Sequence, residues 1–412
     1  MAIPMLLIAD DLTGAAEAAA AFLPRAVRIL PFHELRAARD LRATAFDGLT
    51  GAAGRDGGTD DGQVLAVDTD SRYATAAEAA HRCGAALSLL PSGGTVVKKI
   101  DSTLRGPLSA EVAALRGDGV PLVVAPALPA LARSVVGGAV RVGGVPLQRS
   151  AAWAAEPKPA PATVAEALQP APVAVAGLDT VRGAPDALAA AMTEAAATGS
   201  LLVCDAETDT DLDLIVHAGT LTGGPVRWVG SAGLAHALAR TSRAPAAGTT
   251  PPAPTARPPA LFVVGTAVAS ARIQIRRLAG WADTVVELDP ARLADPGTAA
   301  ELAARTAGRS AVVHLTAAHG VARSPDVVAA LAAAVAPSTA EHPTLVLTGG
   351  ETARAVLAAI GAGELVVRAE WDDGVVVSTV PDGHVVVTKP GAFGDPDTLL
   401  RVAQRLTHEE DT

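Results

Sequence analysis

Short runs of Val, Leu and Ile recur along the chain, separated by Ala-rich stretches with helical spacing. They fall at Met5–Ala9, Val64–Asp68, Thr95–Lys99, Leu122–Ala125, 201–205 and 226–229, then at 261–265, Thr284–Leu288, Ala311–Leu315, Thr344–Thr348 and 385–388. Most are continuously apolar rather than alternating. That is the signature of strands covered on both faces, and strands of this kind alternating with helices form parallel sheets. A chain of 412 residues is too long for one ordinary core. The pattern predicts an α/β protein of two three-layer α/β domains with mostly parallel sheets.

The break in the pattern sets the boundary. Residues 241–260 carry Pro245, Pro251, Pro252, Pro254, Pro258 and Pro259, the composition of an extended linker. The expected division is a first domain over 1–240, a linker over 241–259 and a second domain over 260–412. Residues 51–62, rich in Gly and Asp, read as a surface loop, and 156–161, with prolines around Lys158, as a connector. No fixed-period repeat is present.

Composition narrows the function classes. The net charge of -10 speaks against a nucleic-acid partner, which needs a basic face. No apolar run is long enough for a signal peptide or a membrane span, so a cytoplasmic protein is expected. Cys83 and Cys204 lie far apart and read as small buried hydrophobes. None of the nine His, including His314 and His319 near a strand end, falls in a metal-ligand spacing. Positive charge is written almost wholly as Arg: the 33 basic residues include only four Lys, at 98, 99, 158 and 389. Lys and Arg are not interchangeable where a point charge grips oxygen, and three of the four Lys stand in motifs.

Four polar motifs follow strands in the first half. Asp10 and Asp11, with Thr13 and Gly14, come straight off the first strand, where ligands of open α/β sheets sit. Two carboxylates there suit hydroxyl or metal binding, and an N-cap on an Ala-rich helix equally well. The densest motif runs from Lys98 and Lys99 through Asp101, Ser102, Thr103 and Arg105. Arg105 suits a bidentate grip on a carboxylate, and Asp101 suits a base. Neighbouring strand residues face opposite sides, so one of the two lysines is expected to reach the site while the other points away. The third motif, Asp68 to Arg72, offers Ser71 and Arg72, although turn chemistry explains it as well. The fourth is Pro126 to Ser134, followed by glycine-rich turns. It offers Arg133 as a second anion ligand, with a plain loop and hairpin as the competing reading.

The second half carries glycine turns after three strands. They contain Gly265 and Thr266; Gly349, Gly350, Glu351 and Thr352; and Lys389, Gly391 and Gly394. Such turns let backbone amides approach a phosphate. No Walker A or G-x-G-x-x-G signature is present.

Taken together the motifs resemble the four-carbon acid sugar kinase family, in order along nearly the whole chain. The hallmarks are ADDLTGA at 9–15 and KKIDSTLRG at 98–106. DTDSR at 68–72, PALPALARS at 126–134, VGSAGLA at 229–235, TGGETA at 348–353 and KPGAFGDPD at 389–397 also match. The resemblance implies a sugar-acid-binding domain followed by a nucleotide-binding domain, and ATP-dependent phosphorylation of the terminal hydroxyl of threonate, erythronate or a 3-oxo-tetronate. It implies that Asp10, Asp11, Asp101, Ser102, Arg105 and Arg133 face the acid, and that Gly349, Gly350, Glu351, Thr352, Lys389, Gly391 and Gly394 lie near ATP. The chain departs from the pattern at Val268 and Ala271, where the family has hydroxyls, at Pro107 and Ala132, and at one acidic position that is Gln148 or Arg149 here.

The expected protein is therefore an ATP- and Mg²⁺-dependent sugar-acid kinase with its cleft between the domains, compatible with a homodimer. Arg105 would hold the substrate carboxylate with Arg133 in support. Asp11 or Asp101 would take the hydroxyl proton. Mg²⁺ would bridge ATP oxygens, and domain closure would exclude water. Competing readings are a sugar-acid-binding protein with a degenerate nucleotide site, a kinase for a branched or longer acid, and a metal-dependent isomerase or aldolase.

Overall fold

The computed structural model describes residues 4–37, 63–117, 119–154, 156, 158–242, 256–266, 268–316, 324–391 and 393–408. The surface loop expected at 51–62, His319, and most of the proline-rich linker lie outside the described residues. The chain divides into two units, Met1–Val27 with Phe32–Thr249, and Arg28–Pro31 with Thr250–Thr412.

In chain order the strands are β1 (Met5–Ala9), β2 (Val27–Pro31), β3 (Val64–Asp68), β4 (Thr95–Lys99), β5 (Leu122–Ala125), β6 (Arg133–Val136), β7 (Ala139–Val142), β8 (Val145–Pro146), β9 (Val173–Ala176), β10 (Leu201–Cys204) and β11 (Arg227–Gly230). They continue with β12 (Ala260–Val264), β13 (Thr284–Leu288), β14 (Ala311–Leu315), β15 (Thr344–Thr348), β16 (Leu365–Asp372), β17 (Val375–Thr379) and β18 (Val385–Lys389).

The first unit holds a parallel sheet in the order β3-β1-β4-β11-β5-β10-β9. Its central strands are buried along their whole length, as continuous apolar runs require. The chain passes from β1 to β3 on one side and from β4 to β5 on the other. A topological switch point therefore lies between β1 and β4, where open α/β sheets leave a crevice outside the carboxyl ends of the strands. A small antiparallel sheet, β6-β7-β8, follows β5. Gly230, at the end of β11, allows close packing: a Cβ there would strike the Ala125 carbonyl and Leu234.

The second unit repeats the device. Its order β13-β14-β12-β15-β18 is parallel and puts a second switch point between β12 and β15. Antiparallel β17, β16 and β2 extend it beyond β18. Phe262, Val346, Val377 and Val387 form its core with Leu399 and Val402 of the Thr398–His408 helix.

Every run predicted from apolar continuity is a strand. The strands without such a signal are β2, β6 to β9, β16 and β17. They are short, antiparallel or partly exposed: β9 is a four-residue Val/Ala strand with Val175 exposed, and polar residues interrupt β2, β6, β7, β16 and β17. Cys83 and Cys204 are buried free thiols, and burial pushes the Cys83 thiol up to about 12. Among the described residues no helix is long and apolar enough to cross a membrane.

Candidate functional site

Three loops at the carboxyl ends of β1, β3 and β4 meet in the first unit. Asp11 caps the Leu12–Ala20 helix, accepting from Gly14 N at 3.1 Å and from Thr13 Oγ1 at 2.8 Å. A Cβ on Gly14 would fall 2.5 Å from Asp11 Oδ1 and 2.8 Å from Lys99 Nζ, so only glycine lets the lysine approach the cap this closely. Arg72 donates to both Asp10 oxygens, from Nε at 2.6 Å and Nη2 at 2.9 Å, and from Nη2 to Asp11 at 2.9 Å. Arg105 holds Asp101 in the same bidentate way, from Nε at 2.7 Å and Nη2 at 2.8 Å, while Thr103 donates its hydroxyl to Asp101.

The charges follow from these contacts. Burial pushes the Asp11 carboxyl up, but Arg72 and Lys99 outweigh it and hold the group below the usual range. Burial opposes ionisation of Asp101 too, and Arg105 and Arg72 hold it well below that range. Glu17 behaves oppositely. Burial raises its carboxyl by more than Lys99 recovers, even though Lys99 Nζ lies 3.8 Å away.

Arg133 arrives from β6. The hairpin that carries it is pinned by Asp205, which accepts from Gly137 N at 2.6 Å and Gly138 N at 2.8 Å, and by paired backbone bonds between Val135 and Ala206. The loop-and-hairpin reading of this motif and the ligand reading therefore hold together: the hairpin presents the side chain. Arg133 donates from Nη1 to Ser102 Oγ.

Among the described residues the non-glycine residues with left-handed backbone are Asp70 (φ 48°), Leu104 (φ 63°) and Ala132 (φ 52°). One lies in the loop after each of β3, β4 and β5. Strain of this kind persists where surrounding contacts over-determine the backbone, and it concentrates at functional sites.

Asp10, Asp11, Arg72, Asp101, Ser102, Thr103, Arg105 and Arg133 thus share one polar patch. Ser71 does not join it: its hydroxyl donates to Glu111 and lies beside Thr69 Oγ1 at 2.7 Å, in the buried interior. Lys98 pairs with the same Glu111 at 3.2 Å. Lys99 is the one of the two lysines that reaches the patch, and Glu17 joins it although the motif reading gave Glu17 no role. Strand alternation is the signal for Lys99; for Glu17, inside an Ala-rich helix, a lone acidic residue on a buried face is the only clue.

In the second unit the glycine turns sit at the ends of β12, β15 and β18. A Cβ on Gly265 would collide with Thr352, and one on Gly391 would come within 3.2 Å of Thr266. Gly349 has φ 95° and caps the Gly350–Ala359 helix, whose first turn carries Glu351. Lys389 is fully buried, and its ammonium donates to Pro390 O at 2.8 Å and Phe393 O at 2.7 Å. Gln274 Nε2 donates to the same Phe393 O at 3.1 Å and to Asp395 O at 2.8 Å. Lys389 therefore spends its hydrogen bonds folding its own loop, and Gly394 (φ 86°) turns that loop onto Thr398. Val268, at the N-cap of the Ala269–Leu278 helix, supplies no capping side chain. Thr266 Oγ1 accepts from the backbone N of Val268 itself at 3.4 Å, one position ahead of the helix. His314 is half-buried with Nδ1 near Leu315 O.

A sugar-binding N-terminal domain model matches residues 5–238, and a nucleotide-binding C-terminal domain model matches 261–399. The chain is 34% identical to a D-threonate kinase of Cupriavidus necator, over 98% of each protein. The chain belongs to the four-carbon acid sugar kinase family. A D-threonate kinase of Bordetella bronchiseptica is 33% identical over 98% of each. A crystal structure from Salmonella typhimurium LT2, solved as a candidate tRNA synthase, shares the fold with a TM-score of 0.76 at 20% identity, covering 98% of this chain and 99% of that one.

Proposed function

We propose that this family member is an ATP-dependent kinase that phosphorylates the terminal hydroxyl of a four-carbon acid sugar, with D-threonate the first candidate. The observation that carries the reading is the pairing of chemistries at the two switch points. One offers carboxylates and guanidiniums suited to a polyhydroxy acid; the other offers backbone turns from which side chains are sterically excluded. The names of the relatives supply the four-carbon acid.

Asp11 is the residue proposed to orient the acceptor hydroxyl and take its proton. Among the described residues its Oδ2 accepts only from Thr13, leaving a lone pair for the substrate, whereas Asp101 takes Arg105 on both oxygens and Thr103 besides. A carboxylate held below its usual range is a weak base, which suits phosphoryl transfer, where bond-making to the acceptor lags and positioning dominates. Asp101 is then a positioning residue for Arg105 and the Ser102 turn.

The nucleotide would lie on the Gly265–Thr266, Gly349–Thr352 and Gly391–Gly394 turns, whose glycines keep the backbone open to phosphate. Among the described residues no three His, Cys, Asp or Glu side chains gather as a metal cluster. Mg²⁺ is proposed to enter on the nucleotide phosphates, as it commonly does, where it neutralises charge on the transferring group.

The test is nucleotide consumption with Mg-ATP against D- and L-threonate, the erythronates and their 3-oxo derivatives. Phosphorylation of at least one at the terminal carbon is expected. No turnover on any of them, by protein that is folded, rejects the reading.

A further inference from the structure

The cations of the first-unit patch are not equivalent. Arg72 has Asp10 and Asp11 within 2.9 Å, Arg105 has Asp101 at 2.7 Å, and Lys99 has Glu17 at 3.8 Å. Arg133 has a neutral hydroxyl, Ser102 Oγ. Its Nε is buried and finds no hydrogen-bond partner among the described residues. A half-buried cation without an ion-pair partner among the described residues is costly, and burial lowers this guanidinium from its ordinary value, with Asp101 and Glu17 offsetting only part of it. The fold nevertheless fixes the side chain, through the Asp205-pinned hairpin and the left-handed Ala132 beside it.

We infer that Arg133, and not Arg105, reads the substrate carboxylate, with Ser102 beside it accepting from the guanidinium and free to turn its own proton toward the ligand. The assignment rests on the acid-sugar reading above and reverses the order of importance given by the motifs. Arg105 suits a carboxylate chemically, but Asp101 already occupies its fork, so a substrate would have to displace an internal partner. At Arg133 it would supply the missing one. A planar carboxylate can take Nε and an Nη together.

The experiment is calorimetric titration, without nucleotide, of D-threonate and of the uncharged tetritol of the same length. Wild type, Arg133→Gln, Arg133→Lys and Arg105→Gln are compared. Wild type should prefer the acid by about a hundredfold, the scale of one buried charge-assisted pair. Arg133→Gln should bring the ratio to within a few-fold of unity by weakening the acid alone. Arg133→Lys should retain part of the preference, and it stands in if the Gln variant does not fold. Arg105→Gln should keep the ratio near wild type even where overall binding weakens. Loss of the preference in Arg105→Gln, or an undiminished wild-type preference in either Arg133 variant, overturns the assignment. A wild-type protein that binds and phosphorylates no four-carbon acid overturns instead the functional reading beneath it.

Discussion

Lys98 and Glu111 form an ion pair 3.2 Å apart that is closed to solvent on both sides, and Ser71 donates its hydroxyl to the same carboxylate. One end of this network is the strand that leads to Asp101. The other is the turn that aims Arg72 at Asp10 and Asp11. The pair lies behind the patch and holds two of its loops in register.

Breaking one side of such a pair leaves a buried charge, so Lys98→Met or Glu111→Gln should each cost about 3–5 kcal/mol. The double substitution Lys98→Met with Glu111→Leu removes both charges and should recover most of that loss. Denaturant unfolding of the four proteins gives the answer. A double variant no more stable than the weaker single one would show that the pair is not the source of the effect.

Asp11→Asn should lower turnover by about a hundredfold or more, the usual contribution of a positioned proton acceptor. The amide can still cap the helix and Arg72 keeps Asp10, so the variant should fold, with an unfolding midpoint lowered by loss of the charge that faces Arg72 and Lys99. Equal turnover by the Asn variant would remove Asp11 from the chemistry.

Gly265→Ala should damage nucleotide binding, because the new methyl collides with Thr352 at the start of the Gly350–Ala359 helix. Overpacking of this kind costs about 1–3 kcal/mol. Titration with Mg-ATP should show at least a tenfold loss of affinity while D-threonate binding is retained.

Burial brings the Lys389 ammonium down from 10.5 to about 8. Below pH 8 both folded and unfolded chains carry the proton, and the folded one bears the full cost of burying it. Between pH 8 and 10.5 only the unfolded chain stays charged, so this residue makes stability rise with pH across that window. The gain is on the order of 3 kcal/mol. The difference in unfolding free energy between wild type and Lys389→Met should follow that rise. A difference that is flat from pH 7 to 10 would contradict it.

Ala132 holds a left-handed conformation (φ 52°) beside Arg133, which costs a Cβ-bearing residue about 1 kcal/mol. Ala132→Gly should relieve it and leave stability equal or higher by up to that amount, after the larger unfolded-state entropy of glycine is subtracted. A clear loss of stability in denaturant would mean that the methyl packs usefully.

The strands of both parallel sheets were legible because burial on two faces demands unbroken apolar runs. β2, β9, β16 and β17 were not: Arg28 interrupts β2, Arg368 and Glu370 interrupt β16, Ser378 cuts short the apolar run of β17, and β9, at the sheet edge, is only four residues long. The polar motifs were legible too: strand ends that carry Asp, Arg and Gly in an Ala/Val background stand out in any window. Residues that act alone in their window did not stand out. Glu17 is a single carboxylate in an Ala-rich helix, and Asp205 is the last residue of a run read as a strand, yet it pins the Arg133 hairpin.

The sequence by itself determined which chemistry the chain carries: local composition fixes where strands end and which side chains gather there. It did not determine how the charges are shared. Arg72 finds Asp10 across 62 positions, and Arg133 finds Ser102 across 31. Only the tertiary structure decided that Arg105 is already paired, that Lys98 faces the interior and that Arg133 keeps an open valence. The reason is physical: a buried charge is defined by its partners, and partners are set by distance in space, which no spacing along the chain encodes.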